Sequence, residues 1–523
     1  MQLSQANHQV SPPHIDIPRQ YNAAADLLMR HGKRSEKPAY IEAHSGKQLT
    51  FAELNDQAHR FAQGLLHTGL QPEDRVLLCM HDGVHWPVAF LGCILAGVVP
   101  VAVNTLLTSQ DYLYMLQDSR ARALLVSKAL WPVFEPIIPQ LSQPIHIVSD
   151  THDTAPGCVG MPDLLKSHDP LPQHAPTLAD DVCFWLYSSG STGSPKGTVH
   201  LHSHLIYTAE LYGRGVLGLR EDDVVFSAAK LFFAYGLGNA LSFPLTVGAT
   251  TVLLGSRPTP ADVFEVLQTH QPTVFYGVPT LFAGLMAHAQ RPTASQLHLR
   301  VCTSAGEALP AEIGHKWQAE YGVEILDGIG STEMLHIFLS NQPGRVRYGT
   351  TGHPVPGYRL RLVNDEGAEC ADGELGELQI QGPSSALMYW RNREKTKHTF
   401  AGEWTRSGDK YSRDADGYYT YGGRSDDMLK VGGIYVSPFE VEASLMTHTA
   451  VLEAAVVGHA DEEGLVKPKA YVVLKPGHAV SETELQAHVK GQLAPYKYPR
   501  WVSFLNELPK TATGKIQRFK LRA

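Results

Sequence analysis

Short apolar runs alternate with amphipathic stretches along the first two thirds of the chain. No other feature restricts the fold as much. Val76–Cys79 and Val98–Val103 read as strands, and an apolar helix from Trp86 to Ala96 lies between them. Upstream, Thr50-Phe51-Ala52-Glu53 has the form of a capping box, in which hydroxyl and carboxylate satisfy each other's backbone donors. Leu54, Ala58, Phe61, Ala62, Leu65 and Leu66 then share one helical face, until Gly69 and Pro72 end the run. The alternation resumes with strands at Val224–Phe226, Thr250–Leu254, Thr273–Tyr276, Leu299–Thr303 and Val323–Leu326. The expected helices are Leu237–Leu245, Pro260–Leu267 and Pro310–Tyr321. Strand, helix, strand at this spacing implies parallel pairing and an α/β fold of doubly wound sheets. Ligands of such sheets sit beyond the carboxyl ends of the strands.

From about residue 345 the pattern changes. Arg359–Val363, a turn at Asn364–Gly367 and Glu377–Ile380 predict antiparallel strands. The last hundred residues form a smaller α/β unit, with strands Leu452–Val457, Tyr471–Leu474 and Trp501–Phe504 and a helix Glu482–Gln492. The polar stretch Arg424–Asp427 marks the boundary, giving expected domains of 1–425 and 426–523. A chain of 523 residues is too long for one core. The net charge of -8 argues against a nucleic-acid binder. Six scattered cysteines read as reduced core residues of a cytoplasmic protein. No apolar run approaches a membrane span. The 26 histidines show no metal-protease spacing and read mostly as surface or core fillers.

The stretch Tyr187-Ser188-Ser189-Gly190-Ser191-Thr192-Gly193-Ser194-Pro195-Lys196-Gly197-Thr198 follows the apolar run Val182–Leu186, and a helix is expected around Ser203–Leu211. Three glycines let backbone N–H groups converge, and hydroxyls and Lys196 add donors, a set suited to a polyphosphate. It is not a Walker loop, because Pro195 and Gly197 flank the lysine.

This stretch resembles the signature loop of the acyl-adenylate-forming enzymes: acyl-CoA synthetases, peptide-synthetase adenylation domains and luciferases. The resemblance extends over nearly the whole chain. It implies a large N-terminal domain of doubly wound sheets with a small β-barrel-like part, and a small mobile α+β C-terminal domain. It also implies that ATP, Mg2+ and coenzyme A take part. Ser188, Ser189, Gly190, Ser191, Thr192, Gly193 and Lys196 would hold phosphates. Thr332 and Glu333 would contact phosphate and metal, and Asp409 and Arg424 the ribose. Adenine would lie against Ala305-Gly306-Glu307 and Asp327-Gly328-Ile329-Gly330, with Ile329 where the family often stacks a tyrosine. Lys515, in Pro509-Lys510-Thr511-Ala512-Thr513-Gly514-Lys515, would be the catalytic lysine of adenylation. Asp426 matches the hinge. Lys430, Gly432 and Gly433 would reach the site for thioester formation, with Lys467, Lys469, Lys497 and Arg500 as candidates along the CoA route.

Within the superfamily, the stretches at 232–238 (Phe-Phe-Ala-Tyr-Gly-Leu-Gly) and 330–337 (Gly-Ser-Thr-Glu-Met-Leu-His-Ile) resemble benzoate–CoA ligases. That resemblance implies a ring pocket of Phe233, Ala234, Tyr235, Ala305, Gly328, His336 and Ile337. Benzoate is the expected acid, with 4-hydroxybenzoate or another substituted benzoate as the alternative. A second reading keeps adenylation but loads a carrier protein, and a third makes the chain a non-enzymatic ATP sensor. The intact set Lys196, Glu333, Asp409, Arg424 and Lys515 speaks against the third. Neither nucleic acid nor a membrane is an expected partner.

Overall fold

The computed structural model describes residues 2–522 apart from 153, 156, 191–192, 426, 432–433, 463–464, 495 and 511–515. The expected alternation builds two large sheets. In the eight-stranded sheet the order is Met388–Tyr389, Gly193–Leu201, Val182–Gly190, Val99–Ala102, Arg75–Cys79, Ala123–Val126, His146–Ser149 and Val159–Gly160. The nine-stranded sheet runs His353–Pro354, Ile337–Ser340, Ile325–Gly330, Val301–Ser304, Val274–Gly277, Val224–Ser227, Thr250–Leu253, Pro38–Glu42 and Gln48–Thr50. The predicted strand–helix–strand unit is present: Arg75–Cys79 pairs in parallel with Val99–Ala102, and His85–Leu95 lies between them in sequence. That helix is buried on every side, which explains its uniformly apolar sequence. The capping box at Thr50 and Glu53 is made, and opens the helix Phe51–His67. Leu54, Ala58, Phe61, Ala62 and Leu65 are the buried face, as their spacing requires.

Three local readings are corrected. The glycine-rich stretch does not join a strand to a helix. Its described residues lie on the two strands of an antiparallel pair, Val182–Gly190 against Gly193–Leu201, and the helix begins only at His202. Serine and glycine are as natural in a hairpin as at a strand–helix turn, so composition could not separate the two. Residues Asp327–Gly330 are not a loop after a strand but the end of the strand Ile325–Gly330, which pairs Ser304 with Asp327 on one side and Gly330 with Ile337 on the other. The helix expected at Leu237–Leu245 is broken into Ala234–Leu237, a π-helical turn Gly238–Ser242, and Phe243–Val247. Single π turns of this kind often mark functional positions, because the extra residue re-aims a side chain.

Beyond residue 345, Arg359–Val363 pairs antiparallel with Gly376–Gln381, which pairs with Trp404–Arg413, which in turn pairs with Tyr419–Arg424. The C-terminal unit is a three-stranded sheet, Val451–Ala460, Val466–Leu474 and Trp501–Phe504, with the predicted helix Glu482–Gln492. A helix at Pro438–Met446 was missed there; Ser437 caps it and Pro438 begins it. This unit has its own core of Val441, Leu445, Val456, Val472, Leu485 and Val489. It also touches the larger part: the Ile516 N–H donates to Glu307 Oε1 at 3.1 Å, and Phe439 packs on Tyr421 with ring centres 5.5 Å apart. Cys79, Cys93, Cys183 and Cys302 are buried and reduced, and Cys158 and Cys370 are half-buried. Among the described residues no helix is long and apolar enough to cross a membrane.

Candidate active site

The carboxyl ends of Val301–Ser304 and Ile325–Gly330, the glycine-rich hairpin and the segment 384–390 converge on the Thr332–Glu333 turn. The hairpin carries Lys196 opposite Ser188. Its outer strand pairs with Met388–Tyr389, setting Thr198 across from Tyr389. The Tyr389 hydroxyl donates to Glu333 Oε1 at 2.7 Å, and the Lys196 ammonium lies 4.5 Å from the centre of the Tyr389 ring. One aromatic side chain thus touches both charged groups. Burial pushes the Lys196 ammonium below its usual range, and the nearby Glu333 carboxylate pulls the other way. The buried Ser188 hydroxyl has no hydrogen-bond partner among the described residues, as suits a donor waiting for a phosphate oxygen.

The turn itself is held from outside at three consecutive carbonyls. Thr332 O lies 2.8 Å from His200 Nε2, Glu333 O accepts the Ala386 N–H at 2.7 Å, and Met334 O accepts the Ser384 hydroxyl at 2.8 Å. Leu335, with φ of 65°, closes it and returns its N–H to Thr332 O at 3.2 Å.

The expected ribose pair is assembled by strand pairing. Asp409 and Arg424 face each other across Trp404–Arg413 and Tyr419–Arg424, and Arg424 Nη1 lies 3.3 Å from Asp409 Oδ1. Gly408, with φ of 74°, lets the guanidinium pass 3.1 Å from where a Cβ would stand. Ala305 and Gly306 follow the strand Val301–Ser304, beside Asp327 and Gly328. Burial raises the Asp327 carboxyl well above the usual carboxylate range, opposed by the backbone N–H of Leu309 and Gly328.

The aryl residues also come together. Tyr235 donates or accepts at 2.5 Å with the Thr303 hydroxyl. His336 is 2% exposed. Its Nε2 lies 3.2 Å from Tyr235 O and 3.1 Å from Asn239 Oδ1. Both neighbours are acceptors, so Nε2 carries the proton. Burial lowers its pKa to about 3, and the ring is neutral. The rings of Phe243 (4.4 Å), Tyr212 (5.4 Å) and Tyr235 (5.5 Å) surround it. Ile337 lies against Gly328, where any side chain would press on Ile337 Cδ1 at 3.1 Å. Phe232 is 5% exposed and packs on Phe233, the partly buried member of the pair.

Ser191, Thr192, Asp426, Gly432, Gly433 and Lys515 lie outside the described residues, as do the side chains of Ser189 and Lys430. The backbone of Lys430 lies in the strand Leu429–Val431, opposite Tyr435. Sequence reasoning missed Tyr389, His200, Asn239 and Gly238. His200 had a signal: three histidines alternate at 200, 202 and 204 directly after Lys196-Gly197. All three are buried, as core fillers would be; what that reading did not foresee is the contact of His200 Nε2 with Thr332 O. Tyr389 had none, because its partners Lys196 and Glu333 are remote in sequence.

The fold is that of an enzyme that activates a carboxylic acid with a nucleotide. Residues 29–390 match the AMP-binding enzyme family and residues 440–515 its C-terminal domain, and the chain belongs to that family. A benzoate–CoA ligase of Thauera aromatica is 60% identical over 100% of this chain and 99% of its own length. A 4-hydroxybenzoate–CoA/benzoate–CoA ligase of Rhodopseudomonas palustris is 48% identical over 96% of this chain and 94% of its own. Among solved structures, a benzoate CoA ligase from Burkholderia xenovorans LB400 superimposes with a TM-score of 0.91 at 54% identity, covering 96% of this chain and 100% of that one.

Proposed function

We propose that this protein is an AMP-forming ligase that joins benzoate to coenzyme A, and that it works in the cytoplasm. The observation that carries the reading is the juxtaposition, around one turn, of Lys196 and Glu333 on its phosphate side and a neutral cluster of rings at Tyr235 and His336 on the other. The full-length likeness to benzoate–CoA ligases supports the same acid over its hydroxylated analogues.

In the first half-reaction a benzoate oxygen attacks the α-phosphorus of ATP. The bond to the β–γ unit breaks, and pyrophosphate leaves with the electron pair. Two anions must meet, so positive charge and donors are required on both sides. Lys196 and Ser188, with the rest of the glycine-rich stretch, would take the β and γ phosphates. Asp409 and Arg424 would take the ribose, and Ala305–Glu307 with Asp327–Gly330 the base. Lys515 would bridge the α-phosphate and the attacking carboxylate. Magnesium would neutralise phosphate charge and keep several waters. Tyr389 occupies one oxygen of Glu333, and the carboxylate has a second to offer an ion. The one group of three closely placed His, Asp and Glu side chains among the described residues is His44, Asp262 and Glu265, which does not include Glu333. A cation at Glu333 would therefore share one carboxylate with the phosphates.

In the second half-reaction the thiol sulfur of coenzyme A attacks the acyl carbon. AMP departs with the bonding electrons, and the thiol proton is released. Rotation of 426–523 about Asp426 would withdraw Lys515 and bring in Lys430, Gly432 and Gly433. The test is pyrophosphate release and thioester formation across benzoate, 4-hydroxybenzoate, 2-aminobenzoate and short fatty acids, with and without coenzyme A. Benzoate is expected to give the highest kcat/KM. A fatty acid in first place, or indifference to coenzyme A, would reject the reading.

A further inference from the structure

We infer that His200 is a positioning residue: it ties the strand carrying Lys196 to the Thr332–Glu333 turn, and so sets the geometry of the ATP phosphate site. The inference rests on the proposed ATP chemistry of that site and adds a residue to it.

His200 is fully buried on the strand Gly193–Leu201, four residues beyond Lys196. Its ring stacks on Phe184 of the neighbouring strand, centres 5.2 Å apart and planes within 17°. Nε2 points at Thr332 O at 2.8 Å, and Nδ1 lies 3.0 Å from Nδ1 of His204. A carbonyl has no proton to give, so the first contact requires the proton on Nε2. Nδ1 of His200 is then an acceptor, served by Nδ1–H of His204. The longer 3.3 Å approach of the Leu201 N–H to the same His204 atom is the contact this arrangement gives up. Both rings stay neutral: burial lowers His200 to about 4 and holds His204 well below the usual imidazole range.

An apolar filler would occupy this space without a buried polar atom to satisfy. The imidazole has instead a specific task, because among the described residues Thr332 O accepts two bonds, from the Leu335 N–H within the turn and from His200 outside it. The other two carbonyls of the turn are held by Ala386 and Ser384, both from the segment 384–390. His200 is thus the direct hold from the hairpin. It fixes the plane of the Thr332–Glu333 peptide relative to Lys196, and with it the aim of the Glu333 carboxylate. Loss of the imidazole leaves a partly buried carbonyl with only the Leu335 N–H and frees the peptide to tilt.

The test compares His200→Leu with His200→Gln, whose amide can also donate. Three quantities are measured: MgATP affinity by calorimetry without acid, kcat/KM for MgATP and for benzoate in pyrophosphate release, and thioester formation from supplied benzoyl-adenylate. His200→Leu is expected to weaken MgATP binding and lower its kcat/KM by about tenfold or more. His200→Gln is expected to recover at least a third of that loss on a logarithmic scale. The KM for benzoate and the thioester step should stay within twofold in both variants. Equal losses in both half-reactions, no recovery by glutamine over leucine, or unchanged MgATP affinity would each overturn the inference. If the wild type binds MgATP but does not adenylate benzoate, the proposed acid is wrong, and the calorimetric comparison still decides for or against His200.

Discussion

The two ends of the site are made differently. At the phosphate end, charged and hydroxyl groups come from a hairpin, a turn and an edge strand, and they meet across long sequence separations: Tyr389 and Glu333, Asp409 and Arg424, His200 and Thr332. At the aryl end, neutral rings are packed to contact. Tyr235, His336, Phe243 and Tyr212 pack on one another, and among the described residues His336 Nδ1 and Asn239 Nδ2 are buried without partners. The difference follows from the ligands. A polyphosphate needs compensating charge, whose cost of burial is reduced by leaving it partly wet, whereas a phenyl ring gains from dry, close contact. Chemistry should therefore be sensitive at the first end and selectivity at the second.

The sharpest way to break this contrast is Lys515→Ala. Adenylation is expected to fall by roughly 1,000-fold, as when a group that stabilises transition-state charge is lost. Thioester formation from supplied benzoyl-adenylate should persist near the wild-type rate. Single-turnover assays of each step check this, and parallel loss in both contradicts the division of labour. Gly238→Ala comes next and tests the other end. Its Cβ would fall inside contact distance of His336 Cδ2 and close to the Phe243 ring, with no flexible neighbour to yield. Overpacking of about 1–3 kcal/mol there should raise the KM for benzoate by roughly 10- to 100-fold. The KM for MgATP should change less than threefold, and comparable changes in both would merge the two ends into one.

His336→Ala is a milder probe. Removing the ring enlarges the pocket, so the ratio of kcat/KM for bulkier benzoates over benzoate should rise by about tenfold, within the few kcal/mol a pocket contact contributes. A preference unchanged across the panel would remove His336 from acid selection. The smallest expected effect is a null one. Because burial depresses His336 to about 3, its ring stays neutral well below pH 6. An imidazolium would bind the benzoate anion more tightly as pH falls through 6.5. With the neutral ring, the KM for benzoate should shift less than twofold between pH 8 and pH 6. A clear tightening over that window, abolished by His336→Ala, would show that the ring titrates in the active enzyme.

The sequence by itself determined the periodic elements and the linear motifs. Alternation of apolar runs and helical faces pointed to the parallel strand pairs of the two large sheets, because period and burial are local properties of a strand or helix. The capping box at Thr50 and Glu53 and the residues around Lys196, Glu333 and Asp409 were legible for the same reason: each is read within a few positions. Only the tertiary structure decided that the described residues of the glycine-rich stretch lie on two antiparallel strands and that the helix after Ala234 is interrupted at Gly238–Ser242. It alone put Tyr389 between Lys196 and Glu333 and set His200 behind Thr332. Those contacts join residues 56 and 132 positions apart, and their energy exists only after the sheets have brought the segments together.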